Sequence, residues 1–233
     1  LQRPLANLIA SVDVVLGADV DVPLASVGDG LVAVGMVSTE AQVFRRAAPL
    51  GLIELADEPA QPLLGGKEYW YAVTRVGLAA FDVTTRSLEW TAPARRAALS
   101  ADQQQLLLEV EGELVWFTPE SWRERHRVRL SGEASGPPVV ANSGVALVPM
   151  MSGELLAIDP KSGRRARVDV GPGPVWPPVW REASQHVTAA AAGGVVDIDL
   201  SRWSGAVEGA GDVGRNEVPN EPAGDAVPGA EPH

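Results

Sequence analysis

Five times along the chain the same short arrangement returns: an alternating apolar run, a turn, and a second apolar run that ends on a large hydrophobic residue. The end positions are Phe44, Phe81, Phe117, Ile158 and Ile198, at intervals of 37, 36, 41 and 40 residues. Ten residues before each of them stand Val34, Tyr71, Leu107, Val148 and Thr188, inside runs such as Tyr69-Trp70-Tyr71-Ala72-Val73. Further upstream, Leu24, Leu63, Leu99, Val139 and Val179 precede the same positions by 20, 18, 18, 19 and 19 residues. A module of about 40 residues is too small to hide its own apolar faces, so neighbouring copies have to bury them in common. This requirement constrains the chain more than any other feature.

The clearest copy shows what the module is. Pro137-Pro138-Val139-Val140, Gly144-Val145-Ala146-Leu147-Val148-Pro149 and Gly153-Glu154-Leu155-Leu156-Ala157-Ile158 are short apolar or alternating blocks, with Asn142-Ser143-Gly144 and Ser152-Gly153 between them as turns. Period-two runs bounded by Gly, Asn and Ser read as strands joined by hairpins. Arg164 to Val170 then alternates charged and small apolar residues, the pattern of a half-exposed outer strand. Four strands per unit and five units define an all-β chain: a β-propeller of about five four-stranded blades. Helical periodicity competes only at Pro119 to Arg129, which reads as an extended turn leading into an outer strand.

The last unit, from Val179 to about Gly205, lacks a convincing fourth strand after Asp199. Ser11-Val12-Asp13-Val14-Val15-Leu16 alternates as a strand would, and is expected to pair onto the last blade and close the ring; the rival expectation is a part of a larger propeller. Residues 206–233 turn to Gly, Pro, Glu, Asp and Asn, and are expected to be a disordered acidic tail beyond a propeller domain of residues 1–205.

Composition narrows the chemistry. A formal charge of −11 opposes a phosphate backbone, so the sequence argues against nucleic acid and for basic partners. The absence of cysteine excludes disulfides, thiolate metal sites and cysteine nucleophiles. The apolar run Leu5 to Leu16 is broken by Asn7, Ser11 and Asp13 and falls short of the roughly 20 residues a membrane helix needs, so no membrane span is expected. A leader peptide is left open, since Leu1 is not preceded by a Met or a basic stretch.

Residues 137–163 resemble the repeat of the quinoprotein-like family, which includes PQQ-dependent dehydrogenases and BamB-like outer-membrane assembly lipoproteins. Residues 75–90, with Trp90 eight positions after Asp82, resemble it again, and the similarity extends over about residues 24–203. In that family an Asp and a later Gly hold the turn between the third and fourth strands. Asp82, Asp159 and Asp199 keep the Asp, Arg45 and Thr118 depart from it, and only Asp159 is followed by the Gly, at Gly163. The resemblance implies a propeller that binds another protein, at the bacterial envelope; the residues themselves point to no cofactor.

Catalytic readings find less support in the residues. A quinone enzyme needs a cation held by carboxylate and amide oxygens, and in several relatives adjacent cysteines; this chain has no cysteine and its few Asn fall near the start, in a turn and in the tail. A five-bladed glycosidase needs facing carboxylates, for which Asp13, Asp29, Asp159 and Asp197 are candidates, though acids in turns are usually turn residues. His126 and His186 are far apart in sequence and near no serine in a nucleophile context. Asp19-Val20-Asp21 and Asp197-Ile198-Asp199 lack the Gly and terminal Glu of a calcium loop.

Binding has one positive signal: Gly171-Pro172-Gly173-Pro174-Val175-Trp176-Pro177-Pro178-Val179-Trp180 is a stiff aromatic connection between the fourth and fifth units. Trp176, Trp180 and Arg181 are the candidate partner-binding residues, Trp and Arg being frequent interface anchors. The competing expectation is that both tryptophans pack between blades. The sequence therefore points to a non-catalytic scaffold or adaptor, with a ligand-sensing propeller of a larger signalling protein as the alternative.

Overall fold

Nineteen strands, arranged in five separate antiparallel sheets, make up the regular structure of a computed structural model that describes residues 25–27, 31–35, 39–45, 48–181 and 183–200. Each sheet is a meander of consecutive strands. The first joins β1 (Ala25–Val27), β2 (Leu31–Gly35), β3 (Glu40–Arg45) and β4 (Ala48–Glu54); the second joins β5 (Leu64–Gly65), β6 (Tyr69–Thr74), β7 (Gly77–Asp82) and β8 (Leu88–Ala92). The third contains β9 (Arg96–Leu99), β10 (Leu106–Val110), β11 (Glu113–Thr118) and β12 (Arg123–Arg129). The fourth contains β13 (Val139–Val140), β14 (Ala146–Pro149), β15 (Glu154–Ile158) and β16 (Arg165–Asp169), and the fifth β17 (Val179–Arg181), β18 (His186–Ala191) and β19 (Gly194–Asp199). The first strands of successive sheets are neighbours, β1 with β5, β5 with β9 and β9 with β13, so these sheets are the blades of a propeller with their first strands nearest the axis.

The recurring hydrophobic residues share one environment. Phe81 faces blade one beside Val43 and Ile53, half-buried Phe117 packs against Tyr71 and Leu78 of blade two, Ile158 meets Leu107 and Trp116 of blade three, and Ile198 meets Leu147 and Leu155 of blade four. In blades two to five the third strand thus turns its last large residue onto the blade before it. Because side chains alternate across a strand, the residue one position earlier faces the other way. Four apolar layers between five blades result, and each fully buried aliphatic side chain in them contributes about 1.5–3 kcal/mol.

Outer strands carry the opposite signature. β12 and β16 alternate exposed charges with half-buried residues, as Arg164 to Val170 was expected to do. The stretch from Pro119 begins as a turn and becomes strand at Arg123, in agreement with its reading as an extended turn. In blades one to three the pairing of third and fourth strands contains a bulge immediately before the recurring aromatic, which adds local twist at the rim.

The turn after that aromatic is built alike whether or not the Asp–Gly pattern is kept. Asp82 Oδ1 accepts the Thr84 and Thr85 amides at 2.8 and 2.6 Å, and Asp159 accepts the Lys161 amide at 2.9 Å and the Ser162 hydroxyl at 2.6 Å. Four residues after the turn's first position the backbone is left-handed each time: Arg86 at φ 63°, Trp122 at 52° and Gly163 at 71°. Their amides donate back to the carbonyls of Asp82, Thr118 and Asp159 at 2.9 Å. Thr118, which lacks the carboxylate, therefore still closes the same turn.

Blades are stitched by hydrogen bonds that recur with the repeat. The incoming connection of each of blades two to five donates to the end of that blade's second strand, Ala60 to Val73, Arg95 to Glu109, Ser135 to Pro149 and Trp176 to Ala190, at 2.7–2.9 Å. Side chains add inter-blade bonds at separations of 36 residues, as with Arg167 to Ser131, or 40, as with the Asp102 amide to Asn142. Trp116 reaches across to the Gly144 carbonyl at 2.8 Å. The proposed closing strand at 11–16, the tail at 206–233, and Asp13, Asp19, Asp21, Leu24 and Asp29 lie outside the described residues.

Candidate functional site

The connection between blades four and five is held from both sides. Val170 and Gly171 donate to the Gly153 carbonyl, Val175 donates to Met150 at 3.1 Å and Trp176 donates to Ala190 at 2.9 Å; the Ser135 hydroxyl donates to the Val175 carbonyl. Pro172, Pro174, Pro177 and Pro178 restrict φ between these anchors, so the strap is ordered before any partner arrives. Gly153 makes the arrangement possible. Its φ is +91°, and a Cβ there would lie 2.0 Å from the Gly171 carbonyl oxygen.

Extended backbone decides where the aromatic residues go. Val175 is buried against blades four and five, so the next residue, Trp176, points outward and is 59 % exposed. Trp180 lies in β17 opposite Val187 and packs into the layer between blades four and five. The expectation that both tryptophans pack between blades holds for Trp180 and is corrected for Trp176. Beside the strap, on the turn whose Met150 carbonyl accepts the Val175 amide, Met151 is 48 % exposed.

Arg181 is exposed but belongs to a different group. It pairs with His186 in the sheet, on the face of blade five that also carries Asp197. There His186 Nδ1 and Asp197 Oδ2 are 2.9 Å apart and the Thr188 hydroxyl donates to Asp197 Oδ1 at 3.0 Å. The His186 hydrogen bond, with Thr188 and the charge of Arg181 adding to it, holds the Asp197 carboxyl below the usual aspartate range. This histidine–carboxylate pair was not foreseen from the sequence; the alternation of His186, Thr188 and Asp197 on paired strands was its signal. It has no nucleophile in the arrangement of a triad, since Thr188 donates to the carboxylate and not to the imidazole.

Of the acids nominated for glycoside chemistry, the two among the described residues, Asp159 and Asp197, do not meet. Asp159 is in a turn of blade four, engaged with Lys161 and Ser162, whereas Asp197 is in the last strand of blade five. His126 lies in β12, opposite Trp116. Among the described residues no group of three His, Asp or Glu side chains could hold a metal ion, and no helix is long and apolar enough to cross a membrane.

Radial antiparallel blades with stitched connections define a β-propeller, and the strap with Trp176 and Met151 is an exposed apolar feature at one end of it. No family model matches the sequence, and no curated protein matches it. Among solved structures the fold is similar to BamB from Moraxella catarrhalis, with a TM-score of 0.62 at 17 % identity over 78 % of this chain and 59 % of that one. It is also similar to hydrazine synthase from Kuenenia stuttgartiensis, with a TM-score of 0.60 at 13 % identity over 78 % of this chain and 65 % of the other. At such identities the likeness is one of fold: the chain is a propeller like that of BamB and spans less than two thirds of either structure.

Proposed function

We propose that this chain is a non-catalytic scaffold that docks another protein through the strap between blades four and five. One observation carries the reading: Trp176, 59 % exposed, is mounted on a proline-rich segment whose backbone is bonded to the blades on both sides. Exposed indole costs solvation in the free protein and is rewarded when a partner covers it, and a segment ordered beforehand gives up little entropy on binding. Met151 widens the apolar surface with a side chain that adapts to its partner. Likeness in fold to BamB supports a role in assembly at the bacterial envelope.

Trp176→Ala tests the reading. Because the ring is mostly in water, the substitution leaves the thermal midpoint within about 1 °C while weakening capture of a specific partner by tenfold or more, the cost of about 2 kcal/mol typical of an anchor residue. Quantitative crosslinking in the native host, comparing wild type with the variant, measures this. Identical crosslinked species at identical yield would overturn the assignment of the strap.

A further inference from the structure

At the opposite end of the ring, where the turns between first and second and between third and fourth strands emerge, blades two and three build an aromatic cluster. Trp122 stacks on Trp90 with centroids 4.6 Å apart and planes 12° from parallel, Tyr69 is 4.7 Å from Trp122, and Phe117 meets Trp90 edge-on at 5.3 Å. Tyr71 beneath is buried, and the other four rings are half-buried.

Two facts set this cluster apart from ordinary packing between blades. Trp122 occupies the left-handed position of its turn, at φ 52°, where blade four uses Gly163 and blade two the unbranched Arg86. A bulky side chain there costs about 1–2 kcal/mol of backbone energy, which the ring contacts have to offset. The rim is also mainly acidic: Glu68, Glu89 and Glu120 are exposed around the rings and none of them enters an ion pair among the described residues, while Lys67 and Arg123 are the exposed cations next to Glu68 and Trp122 in the chain. Burial first, and then the charges of Glu68, Glu89, Asp82 and Glu120, push the Tyr69 phenol upward, which shows how closely this field surrounds the ring. Two other cations of β12 are engaged elsewhere, Arg125 with the Thr118 hydroxyl and Arg127 with Glu113 and Glu124.

Indole faces attract a cation most strongly of all aromatic surfaces, and carboxylates at the rim lengthen the reach of that attraction. We propose that Trp122, Trp90 and Tyr69, with Glu68, Glu89 and Glu120, form a docking site for the arginine side chains of a basic polypeptide segment. A guanidinium lies flat on an indole while its donors reach carboxylates in the same plane, a match that a neutral side chain lacks. The surface is separate from the strap that carries Trp176, so the two readings stand or fall independently.

The test uses the whole chain and a fluorescein-labelled decapeptide alternating Arg and Ser, with a citrulline counterpart of the same shape and no charge. Anisotropy is expected to show saturable binding of the arginine peptide that weakens with salt, and at least tenfold weaker binding of the citrulline peptide. Trp122→Gly suits the turn's backbone and removes the ring, and is expected to weaken binding at least fivefold. Glu68→Gln, Glu89→Gln and Glu120→Gln combined keep the rings and are expected to do the same. The combination Glu111→Gln, Glu133→Gln and Asp169→Asn changes net charge equally at exposed positions elsewhere, and is expected to stay within twofold of wild type. No saturable binding, equal losses in both triple variants, or wild-type affinity in Trp122→Gly would each overturn the proposal.

Discussion

Gly153 shows how one residue sets what the chain can present. Its carbonyl accepts two amides of the strap and its missing Cβ leaves the approach of the Gly171 carbonyl open. Gly153→Ala forces that carbonyl away and places a side chain in left-handed backbone, so stability is expected to fall by about 2–4 kcal/mol, read from chemical denaturation. A variant as stable as wild type would show that the strap is not anchored there. The glycine was visible in the sequence as a turn residue; its second task was not, because the segment it admits is 18 residues away along the chain. Trp122 teaches the converse. Nothing in Glu-Ser-Trp-Arg marks a left-handed tryptophan, whose ring is received by those of Tyr69 and Trp90 from the neighbouring blade.

At the scale of elements, alternation made the strands legible and hairpin length decided their faces. The strands expected around Tyr71, Leu107, Val148 and Thr188 are all present as second strands, and those expected near Leu63, Leu99, Val139 and Val179 as first strands or their immediate neighbours. The cross-strand partners of the recurring residues lie one or two positions beyond the ten-residue spacing: Trp70 opposite Phe81, Leu106 opposite Phe117 and Val187 opposite Ile198, but Ala146 opposite Ile158. Blade four has a longer turn at 150–153, so Val148 lies on the same face as Ile158, while Tyr71 lies on the face opposite Phe81. A one-residue change in register exchanges the faces of a strand, and spacing alone does not reveal it. Gln61 acts between elements too: buried, it accepts the Ala97 amide and donates to the Ala97 carbonyl, both at 2.9 Å, as a strand would. Gln61→Leu leaves both backbone groups unpaired, and a loss of about 2–4 kcal/mol is expected in denaturant unfolding. An unchanged midpoint would mean that water replaces the amide there.

For the molecule as a whole, charge links folding to acid. Asp57 is held low by Arg75, Asp82 by the Thr85 amide, Glu124 by Arg127 and Asp197 by His186; at Asp159 burial opposes the shift, and the hydrogen bonds from Ser162 and Lys161 outweigh it. A carboxyl whose folded pKa lies below its unfolded value adds stability that is fully present above the unfolded value and is lost as pH falls through the folded one. The midpoint of thermal unfolding is therefore expected to hold steady near neutrality and to drop as pH falls below about 4, each group adding little because water reaches every one of them. Constant midpoints down to pH 2 would contradict the carboxylate contacts. Within the same whole, the sequence by itself determined the repeat, the four-strand module and the propeller class, because alternation and turn chemistry are local properties that every copy restates. Only the tertiary structure decided which face of each strand meets which blade, that Trp176 stands in solvent while Trp180 is packed, and that five aromatic residues gather between blades two and three. Those outcomes depend on contacts between residues roughly one repeat apart, whose geometry is set by hairpin register and close backbone approach and leaves no periodic trace in the order of amino acids.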